Sequence, residues 1–92
     1  MTPKMKQAME AACKAASSAA EAGAVAAKNF QVEIALPAIE AALAALIAAQ
    51  AASEDDLESY AKAKRAYSAC HQIAAEQMDI LEGSRKSGGM VN

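Results

Sequence analysis

The sequence predicts an all-α fold, a small helical bundle of three segments, and three observations carry that prediction. Twenty-seven of the 92 residues are alanine, the best helix former and a poor strand former. No stretch alternates β-branched with polar residues as a half-buried strand does. Capping and breaking residues divide the chain into segments at about 3–22/28, 24/30–52 and 54–82, followed by a Gly/Ser-rich basic tail at 83–92 that is expected to be flexible. Residues 1–82 form the single helical domain in this reading.

The size of the core is the first constraint. Fifty residues are apolar, but more than half of them are alanines that bury one methyl group each. The large apolar side chains are few, and each is worth roughly 1.5–3 kcal/mol when fully buried. They hold a bundle of this size only if nearly all of them find cover. A fold completed by self-association or by a partner is therefore expected.

The first helix opens at Thr2, a good N-cap, with Pro3 at the favoured first helical position. Gln7, Glu10, Lys14, Ser17 and Glu21 line one side, and Glu10 precedes Lys14 in the favourable i, i+4 order. The opposite stripe is Met5, Met9, Ala12, Ala16 and Ala19. Such a surface admits a neighbouring helix closely but contributes little hydrophobic energy. Gly23 and Asn29 are the two candidates for its end. The apolar phase does not reset across them, so a single helix from Pro3 to Ala52 stays open as an alternative.

The middle segment has Pro37 in it. Val25, Val32, Leu36, Ile39, Leu43 and Leu46 follow at steps of seven, four, three, four and three, a stripe that crosses the proline in register. A helix starting at Pro37 would have Leu36 as its N-cap, and leucine caps poorly. The expectation is one helix running through Pro37 and kinked there, with the Glu33 carbonyl deprived of its donor. From Ile34 to Ala52 only Glu40 and Gln50 are polar. A helix apolar nearly all round is either central in a protein or a membrane span. The run is dominated by alanine, interrupted by Glu40 and without aromatic or basic flanks, so burial between protein helices is expected rather than a span. The stretch ALPAIEAALAAL, Ala35 to Leu46, resembles a proline-containing stretch of the stalk coiled coil of dynein motors; nothing of the motor's activity carries over to so short a chain.

Ser53-Glu-Asp-Asp is read as the start of the third helix, with Ser53 as N-cap and Asp56 reaching back. Glu54, Asp55 and Asp56 complement the helix dipole. Tyr60, Ala63, Tyr67, Cys70, Ala74, Gln77 and Leu81 follow at spacings of three and four, with Ile73 and Ile80 widening the apolar arc. Gly83 is expected as the C-cap.

No motif specifies a chemistry. The net charge of −2 gives no basis for phosphate binding, and Lys62, Lys64 and Arg65 do not share a helix face, so no nucleic-acid partner is expected. Cys70 and His71 are adjacent and diverge by about 100° on a helix, and no HxxxH, CxxC or ExxH spacing supplies further ligands. Glu40 has no base, nucleophile or oxyanion donor placed to work with it. No catalytic residue, cofactor or metal site is assigned. In the absence of a visible secretory signal, the protein is expected in the cytoplasm or the compartment of its synthesis, with Cys13 and Cys70 reduced. The functional expectation is a non-enzymatic protein-interaction module, an adaptor, chaperone or inhibitor that binds a protein partner or itself through apolar helix faces. Tyr60, Tyr67, Ile73, Ile80, Met5 and Met9 are the candidate contact residues. The alternatives are a structural subunit of a larger assembly and a helical carrier of a lipid or other apolar ligand.

Overall fold

The computed structural model describes residues 2–91, with side chains for residues 2–83. It is an all-α bundle of three helices: α1 spans Pro3–Lys28, α2 spans Val32–Ser53 and α3 spans Leu57–Val91. Two three-residue turns reverse the chain, so α1 and α3 both run antiparallel to α2. Each packs on α2, and the two scarcely touch one another. The result is a rod of 58 × 20 × 17 Å with α2 as its spine.

Both turns close in the same way. After α1, the Gln31 amide donates to the Ala26 carbonyl at 2.8 Å and the Phe30 amide to the Ala27 carbonyl at 3.0 Å; after α2, the Asp56 amide donates to Ala51 at 2.9 Å and the Asp55 amide to Ala52 at 3.1 Å. This is the Schellman arrangement, which satisfies the last carbonyls of a helix. It needs a left-handed residue, supplied by Phe30 (φ 59°) and Asp55 (φ 56°). Asn29 reinforces the first turn by donating from Nδ2 to the Val25 carbonyl at 3.0 Å. The turn after α1 thus falls at Asn29, the later of its two candidates, and a continuous helix from Pro3 to Ala52 is ruled out.

Gly23 is an interior residue of α1 and has a different task. It is buried against α2, where a Cβ would stand 2.8 Å from Ile39 Cγ1 and 3.6 Å from the Ala35 carbonyl oxygen. The missing side chain sets how closely the two helices approach. Thr2 caps α1 as expected, accepting the Met5 amide at 3.2 Å.

Pro37 lies inside α2, so the helix does run through it. Its ring is buried. α2 begins at Val32 with Gln31 in the N-cap position and no side-chain cap, so the start of this helix is held by the preceding turn and by packing.

The cap of α3 differs from the expectation. Ser53 belongs to the last turn of α2, where its hydroxyl donates to the Gln50 carbonyl at 2.6 Å. Asp56 takes the capping role, accepting the Ser59 amide at 3.1 Å. The acidic run made both serine and aspartate plausible caps, and the Schellman closure of α2 consumes the first three residues of it. Gly83, expected as the C-cap, is an interior residue of a helix that continues to Val91, through the stretch expected as a tail. Nothing lies within 4 Å of the place its Cβ would take.

The core is made of alanine. Ala41, Ala45, Ala48 and Ala52 on α2 are almost fully enclosed, and Ala16, Ala19 and Ala26 of α1 and Ala63 and Ala74 of α3 are buried as well. Two clusters anchor the rod. One joins Ala19, Ala41 and Ala42 under Tyr67 and Cys70; the other joins Ala26, Ile34 and Ala35 under Leu81. Methyl groups allow close helix approach, but each contributes little transfer energy.

Candidate interaction surface

Because both neighbours dock on alanine, the large residues of α2 are left outside. At 100° per residue, Leu46, Ile39, Val32, Leu43, Leu36 and Ile47 fall in that order within an arc of roughly 100°. These six side chains are between 42% and 57% exposed. No charge falls within the arc; Glu40 and Glu33 stand just beyond its Ile47 edge, and Gln50 is its one polar member. From its composition α2 is expected to be buried nearly all round, as a central helix. The structure turns α2 the other way, since two alanine-faced helices can share the opposite side of it and a leucine face could not be reached by both.

The candidate contact residues distribute unevenly around this face. Ile73 and Ile80 are 49% and 64% exposed. Ile80 lines a shallow cavity with Glu33, Gln31 and Gln77, and Ile73 lies two turns earlier on the same side of α3. Both therefore extend the α2 arc past its acidic edge. Met9 is partly covered, and Met5 is buried, which gives Met5 to the internal packing.

Tyr60 and Tyr67 point elsewhere, into the furrow where α1 and α3 fail to meet. A cavity of about 190 Å³ is lined there by Ala11, Ala12, Ala15, Ala45, Tyr60 and Tyr67. A second, of about 180 Å³, continues past Tyr67 along Ala19, Ala38, Ala41 and His71. Tyr67 and His71 stack with ring centroids 5.6 Å apart and an interplanar angle of 15°. Lys64 Nζ sits 6.0 Å from the Tyr60 ring centroid, at the outer limit of a cation–π contact.

A polar contact crosses between α2 and α3. The Cys70 thiol donates to Glu40 Oε2 at 3.8 Å. Burial pushes the Cys70 thiol above its ordinary pKa, and the Glu40 carboxylate adds to this through its charge and by holding the proton. A thiol so placed is a weak nucleophile. Both cysteines are free, and Cys13 is exposed. Among the described residues no three of His, Cys, Asp and Glu gather as a metal site would require.

α2 is long and apolar enough to cross a membrane by length and composition, with a mean hydropathy of 1.9. Half of that segment is buried against α1 and α3. Comparison with protein-family models, curated proteins and solved structures returns no match. The functional reading therefore rests on the geometry of the chain.

The outward face could have been found in the sequence by one signal. α1 carries Ala16, Ala19, Gly23 and Ala26, and α2 carries Ala38, Ala41, Ala42, Ala45 and Ala49, two small-residue stripes of matching length. Stripes of this kind pair with each other and push the bulky residues to the far side.

Proposed function

We propose that this protein is a non-enzymatic interaction module whose working surface is the outward face of α2, covered in use by another protein surface. The observation that supports this reading is the arc from Leu46 to Ile47. The largest contiguous apolar patch on a typical soluble monomer is about 300–600 Å² and is often functional. Six aliphatic side chains, each with about half its surface open, offer roughly 500 Å² on α2 at about 80–100 Å² apiece. Adaptor, chaperone, inhibitor and assembly subunit are all roles for such a face.

A lipid-inserted α2 has less support. Insertion would strip α1 and α3 from the alanine side, and the arc is edged by Glu33 and Glu40 rather than by the lysines and arginines that anchor helices at a membrane surface. A carrier of an apolar ligand also has less support, because each furrow cavity is smaller than the roughly 300–1,000 Å³ of typical ligand sites.

The test places a photo-reactive phenylalanine analogue at position 43 and irradiates the full chain in a lysate of its source. Adducts to protein, whether itself or another, agree with the reading. Adducts to lipid alone, or none above the level of the same probe at position 24 on α1, overturn it.

A further inference from the structure

The α2 face carries a more specific assignment, which rests on the interaction reading above: we infer that its occupant is a second copy of this chain, packed antiparallel on the same face about a two-fold axis level with Ala41 along the helix.

Three observations point there. The first is the internal symmetry of the arc. Leu36 and Leu46 are equidistant from Ala41, as are Ile39 and Leu43, and Val32 and Gln50. An isologous two-fold interface requires that residue i meet j while j meets i. Antiparallel pairing centred on Ala41 places Leu36 against Leu46 of the other copy and Ile39 against its Leu43, so four of the six large side chains of the arc meet one another. Gln50 falls opposite Val32 at the two ends, where its amide reaches water.

The second is charge. A patch that meets its own copy must not carry an uncompensated charge, because symmetry would set it near its like in a desolvated seam. The arc has none. Its nearest carboxylates, Glu33 and Glu40, are exposed at the edge and remain in water when the arc is covered.

The third is area. A specific interface clears about 1,000 Å² in total, about 500 Å² from each partner. The six α2 side chains supply roughly 500 Å² at about 80–100 Å² each, while the alanines of α2 are already buried against α1 and α3. The arc thus reaches the lower size of a specific pair, and its apolar character matches the core of an obligate interface.

Sedimentation equilibrium on the full chain at micromolar concentrations tests the assignment. The expected result is a dimer that Leu43→Glu, and independently Leu46→Gln, weakens by at least about tenfold, while circular dichroism shows each variant still helical. Leu57→Glu, at an exposed residue off the arc, leaves the dimer intact. Register is read by mild oxidation after Cys13→Ser and Cys70→Ala: a mixture of Leu36→Cys and Leu46→Cys chains cross-links, and neither does so alone. A dimer indifferent to both arc substitutions overturns the inference, and so does cross-linking of Leu36→Cys with itself, which marks a parallel pair. A monomer whose position-43 probe captures a different protein overturns the second copy and leaves the interaction reading standing. A monomer with no protein adduct overturns both.

Discussion

Replacing Pro37 by alanine sets two effects of comparable size against each other. Proline inside a helix costs about 3 kcal/mol relative to alanine, a figure that already includes its stiffening of the unfolded chain. Pro37 is the sixth residue of α2, past the first turn where proline is tolerated, so the Glu33 carbonyl lacks its normal donor. Against this, the Pro37 ring is buried among α2's packed residues. Truncation removes two ring carbons, at about 0.8 kcal/mol each. The difference favours Pro37→Ala by about 1.4 kcal/mol, and a domain of this size gains roughly 6–11 °C in Tm for that amount. Urea unfolding followed at 222 nm measures it, at concentrations low enough to keep association from contributing and with m unchanged to exclude altered compactness. A loss of stability would refute the reasoning, since it would mean that the ring fills the seam better than a helical hydrogen bond repays. Sedimentation of the same variant separates an effect on the fold from an effect on the shape of the outward face.

Other predictions follow from local geometry. Gly83→Ala, in open space within α3, gains about 0.5–1 kcal/mol in thermal unfolding from helix propensity; Gly23→Ala instead gains nothing or loses up to about 2.5 kcal/mol, because overpacking against Ile39 costs about 1–3 kcal/mol. Equal gains at both glycines would contradict the close approach of α1 and α2. Asp56 has its carboxyl held below the ordinary range by the backbone hydrogen bond from Ser59, then by the Ser59 side chain. Its folded pKa lies below its unfolded one, so its contribution is present above the unfolded value and disappears as pH falls through the lowered one; stability measured from pH 7 to pH 2 should lose a component in that acid window that Asp56→Ala lacks throughout. Thiol titration at pH 8 should be biphasic, Cys13 reacting first and Cys70 slowly. Glu40→Gln should speed the slow phase, and a single phase for the parent protein would contradict the covered position of Cys70.

The architecture was legible in the sequence where local chemistry decides it. Thr2 and Pro3 start α1, and the unbroken stripe carries α2 through Pro37. Elsewhere two local signals competed and tertiary geometry chose between them. Ser53 and Asp56 both suit an N-cap, and the backbone closure of α2 gave the role to Asp56. Gly23 has the residue type of a helix end, yet it serves a helix contact that only the position of Ile39 reveals. The candidate surface was the least legible part. Spacing alone identifies a leucine stripe but says nothing of which way it points, and in a chain with so many alanines the bulky side is not the inward one. Tyr60 and Tyr67, singled out by residue type, line the furrow between α1 and α3 and do not belong to the arc.

That furrow has a consequence for how the chain assembles. Since α1 and α3 each rest on α2 and scarcely on one another, nearly every tertiary contact joins helices that are neighbours along the chain. Topologies with such low contact order fold on microsecond to millisecond timescales. α1 has its main partner once Ser53 has been synthesised, and α3 then adds to the other side of α2. The leucine face is complete at that same moment, on a nascent chain, before the last helix has been made.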